Sequence, residues 1–206
     1  MKQSLIHFWE ENKIITSKKL IEVFKKVPRE NFILKEYLNQ AYADIPLPIL
    51  EGQTISQPTT IMLMTQALEV KPRQKILEIG SGSGYQAAIL SELVGKKGKI
   101  YTTEIIPSLV EFAKNNLKNY KNVKVIQAKH DELGYENEKP YDAIIITAAS
   151  PRIPPPLIEQ LKLHGILVAP VGKFSQEMLV IKKEKELEIK NLGSFVFVPL
   201  RGKYGF

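Results

Sequence analysis

The run Ile76-Leu77-Glu78-Ile79-Gly80-Ser81-Gly82-Ser83-Gly84-Tyr85 places an acid and three alternating glycines at the end of a short apolar stretch. Glycine accepts positive φ and lets backbone N–H groups approach a ligand, and a helix from about Tyr85 to Leu93 would point its positive end at the same place. Glu104 follows, twenty positions beyond Gly84, closing the run Lys99-Ile100-Tyr101-Thr102-Thr103-Glu104. A carboxylate ending a second strand is placed to accept hydrogen bonds from both hydroxyls of a ribose. Loop and acid together predict one half of a Rossmann-like sheet holding an adenosine cofactor.

Two details point away from a dinucleotide. The glycines run G-x-G-x-G, without the G-x-G-x-x-G spacing that seats a pyrophosphate against the helix. Glu78 precedes the first glycine, where an acid would repel a phosphate and favour a cationic or zwitterionic ligand. The other reading of Glu78 is a surface acid at a strand end. Glu-x-Gly-x-Gly-x-Gly resembles the first motif of S-adenosylmethionine-dependent methyltransferases, whose cofactor carries a sulfonium, an ammonium and a carboxylate and no phosphate.

The elements that must position these residues are legible from apolar spacing. Strands are expected near 75–79, 99–104, 122–127, 142–147 and 165–170, with helices near 85–93, 107–119 and 155–162 between them. That alternation predicts an α/β fold with a doubly wound, mostly parallel sheet. Two further strands, Met178 to Ile181 and Leu192 to Leu200, flank the charged turn Lys182-Lys183-Glu184-Lys185-Glu186 and predict an antiparallel edge. Upstream, Ser17 is expected to cap a helix that buries Leu20, Ile21, Phe24 and Val27 and stops at Pro28. A weaker helix covers Gln3 to Glu11. Tyr42 to Pro58, with Pro46, Pro48 and Gly52, is too restricted for regular structure and too apolar for a loose linker, so it reads as an ordered covering loop. Thr59 or Thr60 then caps a helix through Leu68. The expected organisation is one domain, with residues 1–70 as helices and cover and residues 71–206 as the core.

Composition narrows the function classes. The 206 residues, 44% hydrophobic, suit one domain with one site. The absence of cysteine excludes disulfides, thiolate–metal sites and cysteine nucleophiles, and suits a cytoplasmic protein. No metal-ligand set is assigned. Glu10, Glu11 and Lys13 interrupt the N-terminus, and neither a signal peptide nor a membrane span is expected. The formal charge of +7 comes from lysines scattered among glutamates, which reads as a solvated surface without a nucleic-acid partner.

A more specific resemblance rests on Val27-Pro28-Arg29-Glu30-Asn31-Phe32, Tyr42-Ala43-Asp44-Ile45-Pro46-Leu47-Pro48-Ile49 and Gly52-Gln53-Thr54-Ile55-Ser56-Gln57-Pro58. Further matches are Pro140-Tyr141-Asp142-Ala143-Ile144-Ile145, Gln160-Leu161-Lys162, Val168-Ala169-Pro170-Val171-Gly172, Gln176 and Phe197-Val198-Pro199-Leu200. In this order, over nearly the whole chain, the sequence resembles the protein-L-isoaspartate O-methyltransferases. The resemblance implies methyl transfer from S-adenosyl-L-methionine, leaving S-adenosyl-L-homocysteine, to the free α-carboxylate of L-isoaspartyl residues in damaged proteins or peptides. The ester then reverts through a succinimide, so the reaction initiates repair. A monomer without membrane or nucleic-acid partners is expected.

Such a reaction needs no general base, because a carboxylate with a reference pKa of about 4 is already a nucleophile at neutral pH. Orientation and exclusion of water must carry the rate. By resemblance, Ser56 is the catalytic residue that orients the acceptor carboxylate; the other reading is a helix N-cap before Pro58. Thr54, Ile55 and Gln57 would line the transfer site, Glu78, Gly80, Ser81, Gly82 and Gly84 would face the methionine portion, Glu104 the ribose, and Gln176 the cofactor or substrate side. Pro151-Arg152-Ile153-Pro154-Pro155-Pro156 would be a stiff wall for the peptide or a helix entry. One departure stands out: where the family has Gly-Asp-Gly, with the aspartate on the adenine amino group, this chain has Lys129-His130-Asp131. Either His130 or Asp131 is expected at the adenine. His7 and His164 read as ordinary helix and turn residues. The alternatives are an RNA methyltransferase, disfavoured by the lack of an Asn-Pro-Pro-Tyr or Asp-Pro-Pro-Tyr run after Thr147, and a non-catalytic interaction module.

Overall fold

Caps and apolar faces account for the N-terminal third. In the computed structural model, which describes residues 1–206, helix α1 spans Lys2–Glu11 and α2 spans Lys18–Lys26. Ser17 Oγ accepts the Leu20 N–H at 3.3 Å, as its position before the apolar run predicts. Phe24 is fully buried and meets Trp9 edge-on at 4.8 Å between ring centroids. The chain then makes short 3-10 turns at Arg29–Phe32 and Lys35–Gln40, and a small antiparallel pair, β1 (Leu47–Pro48) and β2 (Thr54–Ile55).

Helix α3 (Pro58–Ala67) starts differently from expectation. Its N-cap is Gln57, whose side chain makes no cap, with Pro58 in the first turn; neither Thr59 nor Thr60 is the cap. The carboxylate of Asp44 substitutes for one, accepting Thr59 N–H at 2.9 Å and Thr59 Oγ1–H at 2.6 Å. A carboxylate at a helix N-terminus meets both the orphan N–H groups and the positive end of the dipole. Thr59 Oγ1 also accepts the Trp9 indole N–H at 2.7 Å, joining α1, loop and α3.

The remainder alternates: β3 (Lys75–Ile79), α4 (Tyr85–Val94), β4 (Lys99–Glu104), α5 (Pro107–Leu117), β5 (Val123–Gln127), β6 (Tyr141–Ile146), α6 (Pro155–Gln160), β7 (Leu161–Val171), β8 (Gln176–Lys183) and β9 (Leu187–Phe195). The sheet order is β5-β4-β3-β6-β7-β8-β9, parallel through β7 and antiparallel beyond. Chain order reverses direction at β3, whose two neighbours are β4 and β6, so their carboxyl ends open a crevice there. Both faces are covered: Ile76 and Ile145 pack into the cluster holding α1–α5, Leu77 and Ile144 into the one holding Leu157 and Leu167.

Two boundaries differ from the sequence expectation. Helix α6 stops at Gln160 instead of near 162, where Lys183 Nζ takes the carbonyls of Ile158 (2.6 Å) and Leu161 (2.7 Å). Strand β7 therefore begins at Leu161, with an irregular register before Ile166. The last strand is Leu187–Phe195, earlier than the expected 192–200, because the hairpin closes directly after the charged turn with Lys183 opposite Leu187. Residues 197–200 instead cross to the β6 end, where Ala149 N–H donates to Val198 O at 2.8 Å and Leu200 N–H to Ala149 O at 2.7 Å. At the opposite edge, lysines serve helix ends: Lys19 Nζ donates to Leu93 O and Lys121 Nζ to Lys118 O.

Gly84 sits at the N-cap of α4 with φ +87, and a Cβ there would lie 2.8 Å from Leu117 Cδ1. Gly84→Ala is expected to cost about 2 kcal/mol, combining left-handed backbone strain with displacement of a buried leucine. Urea unfolding checks this; a loss under about 0.5 kcal/mol would contradict it.

Candidate active site

The crevice is built where β3, β4 and β6 end. After β3 the chain turns at Gly80, whose N–H donates to Thr103 O at 2.8 Å, while Ser81 N–H donates to the same oxygen at 3.0 Å. Thr147, just past β6, closes the other side through Oγ1–H to Gly80 O at 2.7 Å. A Cβ at Gly80 would sit 2.5 Å from that Oγ1, so a side chain there is excluded by both φ (+96) and space. Ser81 Oγ and Thr102 Oγ1 share a hydrogen bond of 2.6 Å beneath the turn.

Two carboxylates flank this turn and differ in every respect but burial. Glu104 Oε2 accepts Gly82 N–H at 3.0 Å, and Oε1 accepts the N–H groups of Ile105 (2.9 Å) and Ile106 (3.1 Å). Its charge is compensated by backbone donors, and its direction is set before any ligand arrives. Glu78 is 0% exposed and neither carboxylate oxygen has a hydrogen-bond partner. It is not a surface acid. Burial pushes its pKa to about 8; the neighbouring Thr102 hydroxyl, itself engaged with Ser81, opposes this, and the Glu104 charge adds to it. An orphaned buried carboxylate in a cleft is a place for a cation or a donor to bind.

The cleft is lined by Thr54, Ile55 and Ser56 from the covering loop, Glu78 from β3, Gly80, Ser81 and Gly82 from the turn, Glu104 at the end of β4 with Ile105 and Ile106 after it, and Thr147 and Leu200. Ile49 of the loop lies over Gly82, within 3.6 Å of where a Cβ would be. The cleft encloses about 1020 Å³ counted with its open mouth. A smaller pocket of about 330 Å³ on the same measure adjoins it, lined by Pro46, Gln57, Thr60, Val196 and Phe197 and sharing Thr54, Ser56, Thr147 and Val198 with the cleft. Ser56 therefore borders both spaces.

Several expected site residues are not brought into the large cleft. Gln57 lines only the small pocket. Gly84 packs against α5, where its missing side chain makes room for Leu117. His130 and Asp131 are exposed and line neither space; Ala128, Lys129, Glu132, Leu133 and Gly134 line the cleft in their place. The loop faces this way because buried Gln160 takes Leu133 O (2.9 Å) and Tyr135 N–H (2.9 Å), while His130 O accepts Lys203 N–H from the C-terminal segment. Gln176 uses both ends of its amide on the Phe197 backbone, Nε2–H to O at 3.2 Å and Oε1 from N–H at 2.6 Å, so it straps the 197–200 segment. His7 pairs with Glu11 and His164 with Glu184, both at the surface. Sequence reasoning missed Thr147, Asp44 and Glu132. The Gly80–Thr147 fit joins residues 67 positions apart and left no local signal.

The Glu78 environment has a consequence for stability. An acid whose folded pKa is raised keeps a proton that the unfolded chain, at 4.5, has released. Stability of the ligand-free protein should thus fall as pH rises from about 5 towards about 8, and Glu78→Gln should flatten that fall. Urea midpoints across this range check it; identical slopes for both proteins would refute the assignment.

Comparison with known proteins agrees with this geometry. A family model described as protein-L-isoaspartate(D-aspartate) O-methyltransferase matches residues 1–205. Protein-L-isoaspartate O-methyltransferase 2 of Archaeoglobus fulgidus is 48% identical over 194 residues, 92% of this chain and 88% of that protein. The Pyrococcus horikoshii enzyme of the same name is 47% identical, covering 94% of this chain and 89% of its own. Among solved structures, a protein-L-isoaspartate O-methyltransferase superposes with a TM-score of 0.88 at 28% identity, covering all of this chain and 67% of its own. A Plasmodium falciparum structure of that description, in complex with S-adenosyl-L-homocysteine, gives 0.84 at 26% identity and covers 96% of each chain. The chain belongs to the protein-L-isoaspartate(D-aspartate) O-methyltransferase family.

Proposed function

We propose that this enzyme transfers a methyl group from S-adenosyl-L-methionine to the free α-carboxylate of L-isoaspartyl residues in damaged proteins, with Ser56 at the point of transfer. The observation that carries the reading is the position of Ser56 on the border between the large cleft and the smaller pocket beside it. The donor belongs to the large space and the acceptor carboxylate to the small one.

The residues present fit the cofactor. Glu78 offers an unpartnered carboxylate to a cation, the side-chain-free Gly80 leaves room for close backbone approach, and Glu104 presents an oriented acceptor for ribose hydroxyls. When bound, S-adenosylmethionine supplies a methyl group already activated by its sulfonium. Ser81 and Gly82 would hold the methionine portion, and Thr54 and Ile55 would cover it. Ser56 Oγ would hydrogen-bond one acceptor oxygen and direct the other along the transfer line; Gln57, from the small pocket, would border the acceptor. For the adenine, His130 and Asp131 give way to the lining residues around Glu132. No proton need move in the transfer, which agrees with a cleft holding no histidine.

The finer reading is of one domain acting as a cytoplasmic monomer, without nucleic-acid or membrane partners. No helix is long and apolar enough to cross a membrane.

Methyl-labelled S-adenosylmethionine offered with paired L-isoaspartyl and L-aspartyl peptides should yield base-labile label on the first alone. Label on neither would remove the carboxylate reading. Ser56→Ala should lower kcat about tenfold or more while leaving cofactor affinity unchanged, since the hydroxyl aims the acceptor; equal losses in both would contradict this. Glu104→Ala should weaken S-adenosylhomocysteine binding by about tenfold, read by calorimetry, whereas His130→Ala should not. Because a cation beside Glu78 favours its ionised form, cofactor binding near neutral pH should release a proton. Calorimetry in buffers of different ionisation enthalpy would detect it, and its persistence in Glu78→Gln would exclude Glu78 as its source.

A further inference from the structure

Arg29 is 0% exposed, yet its side-chain hydrogen bonds go only to carbonyl oxygens: Nη1–H to Ala41 O at 2.7 Å, and Nη2–H to Ser56 O at 2.8 Å and Ile45 O at 3.5 Å. The nearby carboxylates are occupied elsewhere, Glu30 with the Tyr42 hydroxyl and Asp44 with Thr59. Burial pulls the guanidinium down to about 10, so it remains charged at neutral pH. A buried cation with no carboxylate bonded to it, only the Asp44 charge nearby, is costly for stability alone. Its three acceptors come from the two ends of the covering loop, residues 41 and 45 on one side and 56 on the other.

The bond to Ser56 O has a directional consequence. Carbonyl and N–H of one trans peptide point in opposite directions, so with the Ser56 carbonyl on Arg29 the Gln57 N–H points away from it. That N–H makes no hydrogen bond within the protein, and Ser56 and Gln57 both line the small pocket. The guanidinium also polarises the peptide, strengthening the N–H as a donor to an anion.

We propose that Arg29 is a positioning residue for the anionic acceptor: by gripping the Ser56 carbonyl it aims the Ser56–Gln57 peptide N–H, beside the Ser56 hydroxyl, at the substrate carboxylate. The inference rests on the acceptor site lying at Ser56. It makes the acceptor cradle two-pronged, one donor from a side chain and one from a peptide, with Arg29 behind both and touching neither substrate nor cofactor.

The test compares Arg29→Lys, Arg29→Met and Ser56→Ala for KM and kcat on an L-isoaspartyl peptide, for S-adenosylhomocysteine affinity, and for Tm, at a temperature where each is folded. Losing a charge-supported donor should raise peptide KM about tenfold or more in Arg29→Met, with cofactor affinity within about twofold of the parent. Arg29→Lys, which keeps the charge but not the fork, should fall between and partly rescue. Should the methionine variant fail to fold, the lysine variant carries the comparison. Unchanged peptide kinetics in a folded Arg29 variant while Ser56→Ala is impaired would overturn this proposal alone. No kinetic effect of Ser56→Ala would overturn the acceptor site and the proposal with it, and a parallel loss of cofactor affinity in the Arg29 variants would reduce Arg29 to a structural role.

Discussion

Glu104 accepts Gly82 N–H with one oxygen and Ile105 and Ile106 N–H with the other, so one carboxylate ties the end of β4 to the glycine turn after β3. Without that tie the turn would still have its two bonds to Thr103 O, the hydroxyls of Thr147 and Thr102 and the Asn116 amide on Ser83 O, but nothing would hold the Gly82 N–H. The constraint is electrostatic as well as geometric. A buried carboxylate is tolerated here because backbone donors, fixed by the sheet, replace water. Turn and acid are therefore arranged in advance, and little reordering is needed when a nucleoside enters.

Glu78 shows the opposite solution one strand away. It is buried with no donor, so the protein alone leaves it unsatisfied. Its register partner on β6, Ile145, and Ile76, two residues back on β3, are both fully buried core residues. Local instability at a binding centre is common where a ligand completes the hydrogen-bonding pattern, and here a cation would complete it.

The wall opposite the turn relies on a different device. The 42–58 loop has one two-residue strand pair and little other regular structure, so side chains fix it from behind. Arg29 takes carbonyls at both ends, Asp44 begins α3, and Thr59 links that cap to Trp9. A loop held this way can carry functional groups on its outer side with the precision of a helix or strand.

Much of this was legible in the chain itself. Apolar runs of strand and helix length and the glycine spacing made the elements, their α/β alternation and the turn after β3 legible, since each element's period and punctuation lie within its own residues. Boundaries failed where tertiary partners intervened: α6 ends where Lys183 arrives from β8, and β9 forms from Leu187 because a tight turn outweighs weak apolar content. The same limit applied to the site. Spacing cannot show that Thr147 fills the gap Gly80 leaves, that Gln160 turns the 129–134 loop until His130 and Asp131 face solvent, or that Gln176 is spent on Phe197. Sequence alone determined which residue types could bind a cationic nucleoside cofactor and a carboxylate. Only the tertiary structure decided which of them share one space, because burial and hydrogen-bond partners are properties of segments that meet across the fold.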